Sequence, residues 1–227
     1  MKTLIIGEGE VGSALFDILS ESYDCGIIDK DSMTDETFEI IHICFPYGEG
    51  FVGEVEKYQE RFKPKYTVIH STVPVGTSRK CNAIHSPVRG RHPKMEGGIR
   101  TFIKFLGGEQ ASEVADYFRR AGIEVYLTEK SETTELMKIA STTCYSKDIE
   151  WVKEVKRECD KYNVPFEAWT IWTSTYNEGY RRLGFPEYWR PNLTPIMTRI
   201  GGHCLMPNLE FWGGESAGFI KKLNKQK

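Results

Sequence analysis

No two cysteines in this 227-residue chain stand at C-x-x-C spacing; Cys25, Cys44, Cys81, Cys144, Cys159 and Cys204 are scattered singly. That pattern argues against a metal site and describes free thiols in a reducing compartment. Any apolar run of membrane-spanning length is also missing, and the N-terminus carries no signal-peptide pattern, so the expected location is the cytoplasm, with no membrane partner. Charge of neither sign is in excess: 30 Lys and Arg against 32 Asp and Glu leave a net charge of −2, which argues against a general nucleic-acid binder. Internal repeats and low-complexity tracts are absent as well. What remains, with 40% hydrophobic residues, is enough to bury the core of one large domain or two modest ones.

The first thirty residues carry the most information. Met1–Ile6 is a short apolar run, Gly7-Glu8-Gly9-Glu10-Val11-Gly12 matches G-x-G-x-x-G, Ser13–Leu19 has helical periodicity, and Gly26–Asp29 is a second apolar run closed by an acid. Strand, glycine turn, helix, strand and acid in that order form a dinucleotide-binding pattern. Gly7 permits the tight turn, Gly9 lets the backbone approach a pyrophosphate beside Glu10 and Val11, and Gly12 lets the helix pack on the strand. Asp29 is placed for the adenosine ribose hydroxyls, and a carboxylate there repels an added phosphate, which favours NAD over NADP; Lys30 beside it works the other way.

Further along, Phe38–Phe45 reads as a buried strand ended by Pro46-Tyr47-Gly48, so that Phe45 and Pro46 border the cofactor. Phe51, Val52, Val55, Tyr58 and Phe62 recur at helical spacing before Pro64. Tyr66–His70 is the next strand, with Ser71 and Thr72 leaving its end. Ala83–Val88 and Thr101–Leu106 read as strands around a loop, Ala111–Phe118 as a helix, and Ile123–Leu127 as a closing strand. Such alternation implies a doubly wound, largely parallel α/β sheet over residues 1–128. A smaller, all-helical domain over 129–227 follows. There Ser131 is expected to cap a helix reaching Asn163, with Leu136, Ile139, Ala140, Thr143, Cys144, Trp151, Val152, Val155, Cys159 and Tyr162 on its apolar face. That helix is long enough, at about 45 Å, to offer a homodimer interface over 131–163. Phe166–Leu183, with Trp169, Thr173, Tyr176, Tyr180 and Leu183 as its stripe, and Glu215–Asn224 are the remaining helices.

Four segments in the same order resemble the nucleotide-sugar 6-dehydrogenases, the UDP-glucose and GDP-mannose dehydrogenase family. They are the N-terminal fingerprint, Ser71-Thr72-Val73-Pro74-Val75-Gly76-Thr77 against S-T-V-P-x-G-T, Glu135-Leu136-Met137-Lys138 against E-L-x-K, and Gly201-Gly202-His203-Cys204 against G-G-x-C. The resemblance implies a Rossmann-type domain, a long central helix that builds a dimer, and oxidation of a primary alcohol to a carboxylate with two NAD through a cysteine thiohemiacetal. It also implies a shortened member without the further domain that binds the nucleotide end of the substrate. Three positions depart from the pattern: Asn208 stands where the family has aspartate, Ser86-Pro87-Val88 where it has S/N-P-E, and Thr142 where it has asparagine.

The chemistry of these residues leaves alternatives open. Cys204 suits a thiolate nucleophile, or a small buried hydrophobe. His203 suits a base beside it, or an exposed loop histidine. Lys138 suits the charge that holds an alkoxide, or a solvated helix lysine, and Thr72 suits a substrate hydrogen bond, or a turn before Pro74. Residues 79–104 hold Arg79, Lys80, Arg89, Arg91, Lys94, Arg100 and Lys104 against Glu96 alone. Either Arg89 and Arg91, with Thr142, grip an anionic substrate, or the surplus is a basic surface balanced by acids elsewhere. The expected activity is NAD-dependent oxidation of an alcohol carbon on a small, anionic, sugar-like molecule. A two-electron dehydrogenase without a thiohemiacetal and a non-catalytic NAD-binding dimer are the alternatives.

Overall fold

The structure is a computed structural model that describes residues 1–29, 32, 34, 36–201 and 205–225. Its elements run β1 (Thr3–Ile6), α1 (Glu10–Ser20), β2 (Cys25–Ile28), β3 (Ile40–Ile43), α2 (Phe51–Phe62), β4 (Tyr66–Ile69), α3 (Thr77–Lys80), β5 (Ile84–His85), α4 (Met95–Thr101) and β6 (Lys104–Gly107). A 3-10 turn at Ala111–Val114 then leads into α5 (Ala115–Arg120) and β7 (Val125–Thr128). After these come α6 (Ser131–Lys161), α7 (Phe166–Leu183), a 3-10 turn at Pro186–Tyr188, α8 (Leu205–Asn208) and α9 (Glu215–Lys225). The chain divides into two compact units, Met1–Lys138 and Ile139–Lys227.

In the first unit seven strands form one sheet in the order β2-β1-β3-β4-β5-β6-β7. All neighbours are parallel except β5 and β6. Because β1, β3 and β4 are covered on both faces, they are mostly apolar without alternation, and even Thr3, His42 and Thr67 within them are buried. Ile5, Ile40, Val68 and Ile84 point into one layer with α1, α4 and α5, while Leu4, Ile6, Ile41, Ile43 and Ile69 point into the other with α2. This is the expected doubly wound α/β architecture. One stretch corrects the expectation: residues 95–101 are helical, and β6 begins only at Lys104. Gly97 and Gly98 hid that helix, yet a side chain at Gly98 would collide with the backbone of Gly90 and Arg89. Close packing, which glycine permits, outweighs its poor helix propensity there.

In the second unit α7 and α9 match their expected spans closely, whereas the buried side of α6 differs from the expected stripe. Ile139, Thr143, Ser146, Glu150 and Lys153 are buried, a spacing of four and three that keeps one face of a helix. Glu150 and Lys153 pair at 2.9 Å with both side chains almost completely buried, so the face is closed by an ion pair rather than by apolar residues alone. Leu136, Trp151 and Tyr162 are exposed instead. On α7 the buried positions are Thr173 and Asn177, and Leu183 is exposed. Ile200, Leu209, Ala217 and Ile220 form a small core with Ile149. Ser131 is the first residue inside α6 rather than its cap. Among the described residues no helix is long and apolar enough to cross a membrane.

Candidate functional site

The sheet reverses direction of connection between β1 and β3: α1 leads outward to β2, and the chain returns across the sheet to β3. In open α/β sheets the crevice at such a point, outside the carboxyl ends of the strands, is where ligands bind. Gly7 leaves β1 there with φ +111°, a conformation that side-chain-bearing residues rarely adopt, and its Cα face lies against the backbone of Cys44 and Phe45. A Cβ on Gly12 would collide with the Gly7 carbonyl, so helix and turn can close only without one. Gly9 behaves differently. A Cβ there would meet nothing within 4 Å, and Gly9 caps α1 with no side-chain hydrogen bond to the first helical amides. The turn is therefore open in front of the helix N-terminus. A pyrophosphate fits that cradle, met by amide N–H groups and the positive end of an 11-residue helix.

The neighbouring strand ends are tied to one another. Ser71 Oγ donates to the Phe45 carbonyl, and His85 Nε2 donates to Ser71 O at 3.1 Å. His85 Nδ1 in turn accepts from Thr134 Oγ1 of α6 at 2.8 Å. The Glu135 carboxylate, fully buried, accepts from Gly76 N at 2.6 Å and Ser78 N at 2.8 Å. Lys138, one turn later, donates to Val88 O at 2.8 Å. Thus Thr134, Glu135 and Lys138 fasten the first turns of α6 to the segments that follow β4 and β5. Glu135 and Thr134 had no assigned role in the sequence; the glutamate of the E-L-x-K segment serves here as an anchor for two backbone amides. The spacing of Thr134, Glu135 and Lys138 on one helical face was the available signal.

The other expected site residues are distributed as follows. Phe45 is buried, Pro46 and Asp29 are exposed, and Ser71 and Thr72 are half-buried at the end of β4. Glu10 opens α1 and pairs with His92; Val11 is half-buried beside it. Arg89 donates to the Ile103 carbonyl and lies over the Phe102 and Phe105 rings at 5.1 and 5.2 Å, so its guanidinium already has partners within the unit. Arg91 is exposed. Acids from other elements meet part of the basic surplus, Arg79 pairing with Glu132 at 2.6 Å and Arg100 with Glu21 at 2.6 Å, while Glu96 of the same helix also pairs with Arg100 at 3.0 Å. Lys104 is not part of a surface at all, being only 4% exposed. In the second unit Thr142 Oγ1 donates to Ile139 O at 2.9 Å, and Asn208 is buried at the end of α8. Lys30, His203 and Cys204 lie outside the described residues. No group of three or more metal-ligating side chains occurs among the described residues.

The sheet order and its crevice together define a Rossmann-type doubly wound architecture. No family model matches the chain and no curated protein matches it in sequence. Among solved structures it is similar to a UDP-D-ManNAc dehydrogenase from Pyrococcus horikoshii, with a TM-score of 0.82 and 15% identity over 100% of this chain and 68% of that one. A UDP-glucose dehydrogenase from the archaeon Pyrobaculum islandicum superposes with a TM-score of 0.78 and 14% identity over 99% of this chain and 68% of the other. The 3-hydroxyisobutyrate dehydrogenase of Mycobacterium tuberculosis gives 0.73 and 10% identity, over 99% of this chain and 92% of that enzyme. At these identities the likeness is one of fold.

Proposed function

We propose that the chain is an NAD-dependent dehydrogenase that oxidises an alcohol carbon of a small, anionic, sugar-like substrate. The observation that carries this reading is the open glycine turn, with Gly9 facing space at the uncapped start of α1 beside the β1/β3 switch. Likeness in fold to proteins that are themselves dehydrogenases supports it. On this reading residues 1–128 bind the dinucleotide: Gly7, Gly9, Glu10, Val11 and Gly12 surround the pyrophosphate, Asp29 and Lys30 meet the adenosine ribose, and Phe45, Pro46, Ser71 and Thr72 line the strand ends. Bound NAD would supply the hydride acceptor. Residues 129–227 serve substrate binding and dimerisation. Lys138, held by the Val88 carbonyl, stabilises the alkoxide that forms as the hydride leaves, and Thr72 orients the hydroxyl. Arg91 and the charge of Arg89 hold the anionic end of the substrate.

The four-electron route adds Cys204 as the thiolate that captures the aldehyde, with His203 next to it in the sequence and Asn208 four residues on. A two-electron route is favoured by a specific observation: Asn208 and Val88 stand where carboxylates would serve the hydrolytic half, and the likeness to 3-hydroxyisobutyrate dehydrogenase extends over 92% of that chain. A thermal-shift screen of nucleotide sugars, sugar phosphates and hydroxy acids in the presence of NAD identifies the substrate, because a ligand of the native state raises apparent stability. NADH formed per substrate is then counted. Two NADH, falling to one in Cys204→Ala, supports the four-electron route; one NADH and an indifferent Cys204→Ala supports the two-electron route. Absence of turnover with every class would overturn both.

A further inference from the structure

The first unit buries a line of ionisable side chains on the sheet face covered by α1 and α5. Lys104 Nζ lies 3.3 Å from His70 Nδ1 and 3.4 Å from Ser86 O. His70 Nε2 lies 2.9 Å from His42 Nδ1, and His42 Nε2 lies 3.1 Å from Tyr117 Oη. Tyr117 Oη is 3.0 Å from Thr3 Oγ1. None of these five residues is more than 4% exposed, and among the described residues no carboxylate is paired with any of them. Sealing a lysine in a core without a counter-charge is costly, and an apolar side chain would fill the same volume at less cost. The arrangement therefore calls for a reason beyond packing.

Hydrogen-bond polarity orders the line. His70 Nδ1 is 2.8 Å from the Ser86 carbonyl, which can only accept, so this nitrogen carries the hydrogen. His70 Nε2 then accepts from His42 Nδ1–H, His42 Nε2 accepts from the Tyr117 hydroxyl, and the Tyr117 oxygen accepts from Thr3. The Tyr117 and His42 hydrogens are thus directed towards His70, whose own Nδ1 hydrogen is shared between the Ser86 carbonyl at 2.8 Å and Lys104 Nζ at 3.3 Å. The Lys104 end lies on the side of the sheet where β4 and β5 end, since His70 and Ser86 directly follow those strands. At the other end Thr3, fully buried on β1, pairs in register with the half-buried Cys25 of the edge strand β2 and is hydrogen-bonded to its sulfur. Groups facing Lys104 are His70, the Phe118 ring of α5 at 5.4 Å, Cys44 and, from α6, Lys138. Burial pulls Lys104 down from 10.5 to about 7, with Cys44 opposing and Lys138 adding to the fall, while burial pulls His42 down to about 3 and His70 well below 6.5. An extra proton therefore rests on the lysine and not on the rings.

We infer that Tyr117, His42 and His70 form a proton relay that joins the buried Lys104 amine, on the side of the sheet where β4 and β5 end, through Thr3 to the half-buried Cys25 thiol of the edge strand β2. In the inward direction Thr3 passes its hydroxyl proton to Tyr117 and takes one from the half-buried Cys25 thiol, which takes one from solvent; Tyr117 passes its own to His42 Nε2. His42 Nδ1–H goes to His70 Nε2, and His70 Nδ1–H goes to the lone pair of Lys104. One proton leaves the solvent, the amine becomes an ammonium, and every ring and hydroxyl stays neutral; no electrons are exchanged. The outward direction is the reverse. Its use rests on the dehydrogenase reading above, since each alcohol oxidised releases one proton along with its hydride. Existence of the relay does not depend on that reading.

The test uses the full chain without cofactor, with lysine labelled at Cε and Nζ and followed by NMR; the Lys104 signal is identified by its loss in Lys104→Met. Lys104 is expected to titrate within about one unit of neutrality, while exposed lysines titrate near 10.4 or above, roughly their usual value. Tyr117→Phe keeps the aromatic ring and deletes the hydroxyl; it is expected to leave that midpoint in place and slow proton exchange at Lys104 by about tenfold or more. Thr3→Val supplies the same comparison should Tyr117→Phe fail to fold. A Lys104 that stays charged across the neutral range, or an exchange rate indifferent to loss of the hydroxyl, overturns the relay. NADH titration of the same sample reports separately on the cofactor reading.

Discussion

His42, His70 and His85 come from three adjacent strands or their ends and are buried, His42 and His85 completely. Burial holds each below the usual 6.5, His42 and His85 at about 3. An unfolded chain takes up these protons near pH 6.5, whereas the folded chain refuses them until far lower pH. The unfolded state thus binds more protons between those limits, and stability is present above 6.5 and lost as the pH falls towards 3. Three groups acting together give a slope of up to about 4 kcal/mol per pH unit. Lys104 acts in the same direction over its own window, from 10.5 down to about 7. Urea unfolding at a series of pH values checks this: a fall on acidification that is shallower by about one proton in His42→Gln is expected, and stability that rises on acidification contradicts it. None of these histidines was legible as chemistry in the sequence. His42 sits inside Ile-Ile-His-Ile, where a covered strand has no polar alternation to interrupt, and Lys104 read as one of seven basic residues on a surface. Only parallel register places His42 and His70 on one face.

At the scale of elements, α6 carries the most consequence. Its first turns hold the strand-end loops through Thr134, Glu135 and Lys138, and its later turns expose Tyr145 and Trp151, with Ile171 and Trp172 of α7 exposed as well. Exposed large apolar side chains on these two long helices are what the proposed association through α6 would cover. The homodimer proposed through 131–163 is expected to sediment as a dimer at micromolar concentration and as a monomer in Trp151→Glu; a monomeric parent protein contradicts it. α2 and α7 were legible almost to the residue, because their apolar spacing is helical and Pro64, Gly184 and Pro186 mark their ends. The face that α6 buries was not. Glu150 and Lys153 satisfy each other inside the fold, a pairing that hydropathy reads as solvent-facing.

For the whole molecule, the doubly wound sheet was legible because glycine turn, helix and acid follow the first strand without interruption. The crevice it builds was legible only in outline. Gly7, Gly9 and Gly12 share one motif, but their reasons separate in three dimensions: Gly7 for its backbone angle, Gly12 for contact with Gly7, and Gly9 for space that the protein leaves open. That space, with Asp29 exposed past β2, is the basis for assigning NAD. The most direct measurement is a fluorescence titration of the full chain with NADH and NADPH, repeated for Asp29→Ala. The expected result is NADH binding about tenfold or more tighter than NADPH, with the gap narrowed by the substitution because the carboxylate no longer repels the 2′-phosphate. No NADH binding at millimolar concentration, or equal affinity for the two cofactors in the unsubstituted protein, would contradict the assignment.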